Sequence, residues 1–169
     1  MKKIIYLFFL IGMFAFSKDF WELNKFNVSV SERMGEKAKS YSMTYSGGTL
    51  KLVINSPSVN KGEVYTYNGS IKTIYYPSLK QTVTQDVDKD EANFLNIINK
   101  LKNLGGKTTT TVGSDKFIFE DSKLVSIQTK EYTANFSGYK ESGDNQYPTS
   151  VKILENGKTK ITYNLSNFK

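Results

Sequence analysis

The fold is decided by residues 41–54, which read YSMTYSGGTLKLVI. Large apolar or aromatic side chains occupy every second position on both sides of the Gly47-Gly48 pair: Tyr41, Met43, Tyr45, Leu50, Leu52 and Ile54. A period of two places one face of a β-strand inward and the other in water. A glycine pair between two such runs is typical of a hairpin turn. The stretch therefore predicts two antiparallel strands that share one apolar face.

The same alternation extends in both directions along the chain. Upstream, Phe26, Val28 and Val30 alternate with polar residues. Downstream, Asn68-Gly69 is a strong signal for a two-residue hairpin, and short strand patterns recur towards the end of the chain. Strands separated by polar turns in this way predict one mainly β domain over residues 18–169, antiparallel and with about nine to eleven strands.

One segment breaks the period of two. Residues 86–104 read DVDKDEANFLNIINKLKNL, and their large apolar side chains recur at helical spacing on one face: Phe94, Ile97, Ile98, Leu101 and Leu104. Asp88, Asp90 and Glu91 stand at the start, where the helix dipole favours anions, and Gly105-Gly106 stops the pattern. We predict an amphipathic helix over 86–104.

The amino-terminal segment has the pattern of an export signal. Residues 1–17 read MKKIIYLFFLIGMFAFS, with Lys2 and Lys3 before an apolar run, and Ala15 and Ser17 in the small–x–small arrangement that signal peptidase reads. The apolar run is shorter than the roughly 20 residues that a membrane-spanning helix needs. We expect a cleaved signal peptide over 1–17 and a periplasmic protein; an uncleaved membrane anchor is the alternative.

The composition argues against several classes of chemistry. The 169 residues carry a formal net charge of +7 and include no histidine and no cysteine, which excludes histidine-based nucleophilic relays and thiolate chemistry. The usual imidazole and thiolate ligands of zinc are missing too. Because Arg33 is the only arginine, nucleic-acid binding is disfavoured. Enzymes built only on carboxylates, lysine or tyrosine stay open, but the composition favours binding over catalysis. We expect no enzymatic activity, no cofactor and no metal site.

The apolar stripe of the predicted helix admits two interpretations. In the first, the stripe fills the core of the sheet permanently. In the second, the helix is a removable lid over an apolar pocket. The pattern favours neither, because both arrangements need the same stripe.

Two stretches resemble the family of the periplasmic lipoprotein carrier protein LolA. Residues 67–83 read YNGSIKTIYYPSLKQTV, and Asn68-Gly69, Ile74–Pro77 and Gln81 occupy the places of that family's hairpin turn, aromatic–proline strand end and following glutamine. Residues 48–57, GTLKLVINSP, resemble the family's strand that ends in proline. The order of signal peptide, strands, helical segment and returning strands also agrees.

The resemblance implies an antiparallel open half-barrel with one or more amphipathic lid helices, preceded by a short helix that we predict over Lys18–Leu23. It implies a non-enzymatic, monomeric carrier of acylated lipoprotein or another lipid. Its partners would be a release machinery at the inner membrane and an acceptor at the outer membrane. The alternative is a non-enzymatic periplasmic sensor or ligand-binding module of the same architecture.

A carrier of this kind needs a lid that competes with its cargo. Burying methylene groups yields about 0.8 kcal/mol each, so a 16-carbon chain would contribute on the order of 12 kcal/mol before opposing terms. A lid that fills the empty pocket lowers this net affinity, since the cargo must displace it. We predict the competing stripe as Phe94, Ile97, Ile98 and Leu101. The facing wall is predicted as Val28, Val30, Met43, Leu50, Leu52 and Ile54.

One position departs from the family pattern. The family has an arginine just before the proline that ends the third strand, where it ties the lid shut, whereas this chain has Ser56. Arg33 is the candidate replacement for that tether, and a solvated charge at a strand end is its other interpretation.

Overall fold

A computed structural model of the chain describes residues 17–87 and 93–169. The predicted signal peptide, except Ser17, lies outside the described residues, and so do Asp88, Asp90 and Glu91 of the predicted helix start. Within the described ranges, no helix combines the length and the hydrophobicity required to cross a bilayer.

The described residues form fifteen β-strands and one α-helix. The strands are β1 (Lys18–Asp19), β2 (Lys25–Met34), β3 (Lys37–Ser46), β4 (Thr49–Ser56), β5 (Val64–Asn68), β6 (Ile71–Tyr76), β7 (Gln81–Asp86), β8 (Thr110–Val112), β9 (Asp115–Glu120), β10 (Lys123–Gln128), β11 (Thr133–Ser137), β12 (Lys140–Ser142), β13 (Asn145–Tyr147), β14 (Ser150–Glu155) and β15 (Lys158–Ser166). The helix is α1 (Phe94–Lys102), and two short 3-10 turns cover Phe20–Glu22 and Ser58–Asn60.

Twelve of these strands form one antiparallel sheet. Its order is β7-β6-β5-β4-β3-β2-β15-β14-β11-β10-β9-β8, and the two end strands do not pair with each other. A small second sheet has the order β1-β13-β12, with β1 parallel to β13. The prediction of a mainly β, antiparallel and open architecture is confirmed.

The large sheet curls around α1. The helix contacts β4, and Lys100 Nζ lies 2.5 Å from Asp115 Oδ2 at the start of β9. These two strands are seven places apart in the sheet order, which is about 34 Å in a flat sheet. A nine-residue helix is only about 14 Å long and about 10 Å wide. One helix can therefore reach both strands only because the sheet is concave on the side that faces it.

The core lies between α1 and the concave face. On β2, Phe26, Val28 and Val30 are at most 2% exposed, as the period of two predicts. From the helix, Ile97 and Ile98 are fully buried against them in one continuous cluster. The predicted apolar stripe is thus the inner face of α1.

The predicted start of the helix is wrong. Asp86 belongs to β7, where it pairs with Ile71, so the helix cannot begin there. The described helix begins at Phe94, and its N-cap is Asn93, whose Oδ1 accepts a hydrogen bond from the backbone N of Asn96 at 2.9 Å. An asparagine caps a helix as well as an aspartate does, and the acidic cluster drew the prediction upstream.

The predicted helix over Lys18–Leu23 is also wrong. Lys18 and Asp19 pair in parallel with β13, and only one 3-10 turn follows them. Gly143 and Asp144 separate two further short strands, β12 and β13, which pair with each other. These short elements raise the strand count above the nine to eleven predicted, because two or three paired residues leave no periodicity to detect.

We expect Gly138→Ala to lower the free energy of unfolding by about 2 kcal/mol or more. Gly138 has φ +67°, which costs an L-residue roughly 1–2 kcal/mol, and an added Cβ would lie 2.2 Å from Thr149 Oγ1. Urea denaturation measures the loss. Gly143→Ala is the matched control, since its φ is +59° but nothing lies within 4 Å of the added Cβ. Equal losses in both variants would contradict the role of the contact.

Candidate ligand cavity on the concave face

A cavity of about 350 Å³ opens on the concave face beside the amino-terminal end of α1. This volume lies within the roughly 300–1,000 Å³ of small-molecule sites. Its apolar and aromatic lining consists of Met34, Tyr41, Leu50, Leu52, Ile54, Tyr65, Tyr67, Phe94, Ile161 and Tyr163. Its polar lining consists of Glu32, Lys39, Lys72, Asn93, Glu155 and Lys160.

Strand register builds the apolar wall. Leu50 pairs with Tyr67 across β4 and β5, and Leu52 pairs with Tyr65, so leucine and tyrosine side chains alternate on one face. Phe94, the first residue of α1, packs edge-on against Tyr163 of β15 with 4.8 Å between ring centroids. The helix thereby closes the cavity at one end.

A buried carboxylate holds the tyrosine at the floor of the cavity. The Tyr41 hydroxyl donates a hydrogen bond to Glu32 Oε2 at 3.1 Å, and Lys39 Nζ lies 3.2 Å from Glu32 Oε1. Burial, and then the negative charge of Glu32, raise the pKa of Tyr41 well above its usual value. Tyr41 is therefore a neutral hydrogen-bond donor at any physiological pH.

A second carboxylate orients a wall tyrosine. The Tyr65 hydroxyl donates to Glu63 Oε2 at 2.9 Å, and Asn60 Nδ2 donates to Glu63 Oε1 at 2.9 Å. Burial first, and then Glu63, raise the pKa of Tyr65. The ring stays in the cavity wall while its polar end is satisfied from outside the cavity.

A second hollow adjoins the cavity at the β2–β3 hairpin. It measures about 420 Å³ and shares Glu32, Met34 and Lys39 with the first. Ala38 and Pro57 add apolar surface to it. The concave face therefore offers two neighbouring hollows at the end of the sheet that α1 leaves uncovered.

The predicted site residues fall into two groups. Those that line the cavity are Leu50, Leu52, Ile54 and Phe94. Those that are buried between α1 and the sheet, each at most 2% exposed, are Val28, Val30 and Met43 from the sheet and Ile97, Ile98 and Leu101 from the helix. The crevice between Met43, Phe94 and their neighbours has no room for a water molecule. In this conformation the predicted lid stripe is buried in the core, and the cavity lies beside it.

The sequence analysis missed most of the polar and aromatic lining. Tyr65, Tyr67 and Lys72 belong to β5 and β6, where the period of two is present but the inward face was not identifiable. The register with Leu50 and Leu52 was the missing information. Asn93 has no periodic signature, and the acidic residues before it favour a helix start further upstream.

Arg33 and Ser56 are not placed to tether the helix in this conformation. Arg33 is exposed, and it alternates with Glu32 and Met34, which face the cavity, so it lies on the outer face of β2. Ser56 Oγ is 2.7 Å from Ser40 Oγ and accepts from the Ser40 backbone N at 3.1 Å. Position 56 thus joins β3 to β4 instead of reaching the helix.

The comparisons with known proteins resolve the fold. No protein family matches the sequence, and no curated protein does. Among solved structures, a LolA superfamily protein from Nitrosomonas europaea matches with a TM-score of 0.54 and 12% identity, over 86% of this chain and 84% of that chain. A DUF1329 family protein from Desulfovibrio piger matches with a TM-score of 0.58 and 12% identity, over 86% and 85%. The open antiparallel sheet curled around one amphipathic helix is therefore a LolA-like fold.

Proposed function

We propose that this protein is a periplasmic carrier that holds the acyl chain of a lipoprotein, or of another lipid, on its concave face and delivers it towards the outer membrane. The signal peptide over residues 1–17 would export it, and residues 18–169 would form the carrier domain. An inner-membrane release machinery and an outer-membrane acceptor would be its partners.

One observation carries this proposal. An open sheet curls around α1, and beside that helix the concave face has a cavity with an outlet to solvent, whose wall combines apolar and aromatic side chains with charged ones. An ordinary core would be filled to crystal-like density and would need no outlet. The cavity adjoins α1, so the space available to an acyl chain would increase if α1 moved away from the sheet. The likeness of fold to the LolA superfamily protein supports the same role.

The helix supplies the opposing free energy that a carrier requires. Five side chains of α1 are at most 5% exposed: Phe94, Leu95, Ile97, Ile98 and Leu101. Burying each contributes about 1.5–3 kcal/mol. The total for the five side chains is comparable with the gain from burying a 16-carbon acyl chain. Cargo that displaces the helix would be held firmly enough for transit and loosely enough for release.

We expect the protein isolated from the periplasm to carry acyl lipid, or to take up a palmitoylated lipopeptide, as seen by native mass spectrometry. Leu52→Trp should weaken lipopeptide binding about tenfold, because the larger ring displaces roughly two methylenes of the chain from the cavity. Lys51→Trp, on the outer face of the same strand, is the matched control and should bind normally. Protein that is lipid-free and takes up no lipopeptide would refute the carrier function.

The sheet edge favours one other candidate, a non-enzymatic sensor or ligand-binding module. β7 is an end strand whose six residues are all exposed, and Val83 at its centre is 45% exposed. An unpaired strand edge can add an extended peptide as a further strand. In the lipopeptide experiment, such a module would bind the peptide part with or without its acyl chain, and Leu52→Trp would bind it normally.

A further inference from the structure

The polar groups of the concave-face cavity include one cation, Lys72, that no carboxylate of residues 17–87 and 93–169 neutralises. Three lysines and two glutamates line the cavity. Lys39 and Lys160 lie within 4 Å of glutamate oxygens. Lys72 Nζ instead lies over the rings of Tyr65 and Tyr67, at 5.8 and 5.6 Å from their centroids. No carboxylate of the described ranges is within ion-pair distance of it, so Lys72 offers a positive charge at the cavity mouth.

The cavity also contains a buried amide donor that has no acceptor in the part of the chain that the structure describes. Asn93 is 9% exposed and lines the cavity. Its Oδ1 caps α1, but its Nδ2 is buried and has no hydrogen-bond partner among residues 17–87 and 93–169. Buried amide donors are rarely left unsatisfied, because desolvation without a partner is costly. The amino-terminal end of α1 beside it further favours electronegative groups.

We propose that the cavity selects an ester-linked acyl chain with an anionic phosphodiester head group. The chain lies along Leu50, Leu52 and Ile54. Its carbonyl oxygen accepts a hydrogen bond from Asn93 Nδ2, and the phosphate lies at Lys72. This inference rests on the proposed carrier function and names the ligand class of the same site.

The test compares two probes with the same ester-linked palmitoyl chain, lysophosphatidylglycerol with its anionic phosphodiester head group and monopalmitoylglycerol, which has no phosphate. The wild-type protein should bind the anionic probe roughly tenfold more tightly, as expected for a hydrogen bond to a charged group. The preference should shrink as salt rises. Equal affinities would overturn the head-group proposal and leave the carrier function intact. Binding of neither probe would instead count against the carrier function itself.

Lys72→Met isolates the charge. It should remove the preference for the anionic probe and leave the affinity for monopalmitoylglycerol within about twofold. Lys51→Met, which removes an exposed lysine from the outer face of β4, should keep the preference. An equal loss for both probes in Lys72→Met would mean that Lys72 only supports the wall, and would overturn its role.

Asn93→Ser isolates the amide donor. Serine retains the N-cap oxygen, so α1 should persist, as circular dichroism would show. The variant should bind both ester probes about fivefold more weakly, as expected for one lost hydrogen bond. An ether-linked analogue of the anionic probe, which has no carbonyl, should bind wild type and variant equally. Equal weakening of ester and ether probes would overturn the assignment of Asn93 to the carbonyl.

Discussion

Replacing Lys107 with methionine is expected to lower the free energy of unfolding by about 3–5 kcal/mol at pH 8. Lys107 Nζ lies 2.7 Å from Asp19 Oδ2 and 2.9 Å from Glu22 Oε2. The Asp19 side chain is fully buried, whereas Lys107 retains some contact with solvent. Methionine preserves the aliphatic stem but leaves the Asp19 carboxylate buried without its cation. Urea denaturation measures the change.

The loss should depend on pH in a defined direction. Burial raises the pKa of Asp19 from 3.8 to about 6, and Lys107 opposes that rise. Without Lys107 the folded-state pKa of Asp19 rises further above its unfolded value. An acid whose pKa is higher in the folded than in the unfolded protein stabilises the fold at pH values below its unfolded-state pKa. This stabilisation is lost as the pH rises through its folded-state pKa. Lys107→Met should therefore be much less destabilising at pH 5, where Asp19 is protonated, than at pH 8.

Two further variants separate this explanation from a general packing defect. Asp19→Asn in the Lys107→Met background should recover much of the stability at pH 8, because it removes the unpaired charge. Lys160→Met breaks an exposed pair with Glu155 and should cost no more than about 1 kcal/mol at either pH. Equal losses at pH 5 and pH 8 for Lys107→Met would refute the account.

This ion pair also bears on how the helix could move. Lys107 follows the carboxyl end of α1, while Asp19 precedes and Glu22 ends a 3-10 turn that contacts α1. Trp21 of that turn packs against Phe119 of β9, with ring centroids 6.3 Å apart. The carboxyl end of the helix is thereby fixed to the sheet. The opposite end, at Asn93, borders the cavity, so displacement of the lid would begin there.

The strands and the helix could be predicted because their side chains repeat. An element that is buried on one side repeats its apolar side chains at its own period. This period is two residues around Met43 and Leu52, and it is helical from Phe94 to Leu101. The cavity could not be predicted in the same way. Its lining combines residues from strands distant in sequence, such as Lys72 of β6 and Ile161 of β15, and only the curl of the sheet brings them together.

The division of the apolar residues was also beyond the sequence. Leu52 and Ile98 have the same hydrophobic character, but Leu52 lines the cavity, whereas Ile98 is fully buried on the inner face of α1. What separates them is where the nine-residue helix ends on the concave face. That position depends on the Asn93 cap and on the ion pair between Lys100 and Asp115, neither of which has a periodic signature.

Ile97→Ala is expected to have the other large effect, and it tests whether α1 competes with cargo. Ile97 is fully buried, so its truncation should lower the free energy of unfolding by about 2–5 kcal/mol. If cargo displaces the helix, Ile97 leaves the core in the loaded state as well as in the unfolded state. The variant should then bind a palmitoylated lipopeptide about tenfold more tightly or more, since the closed conformation is the one destabilised.

Ile153→Ala provides the matched control for this coupling. Ile153 lies on β14 and is equally buried, but it belongs to the sheet and not to the helix. Its truncation should cost a similar amount of stability and leave lipopeptide affinity unchanged at equal folded fraction. A permanent core helix would instead make the two variants alike in both measurements. Tighter binding in Ile97→Ala alone would mean that the free energy holding α1 in place is the same free energy that cargo must overcome.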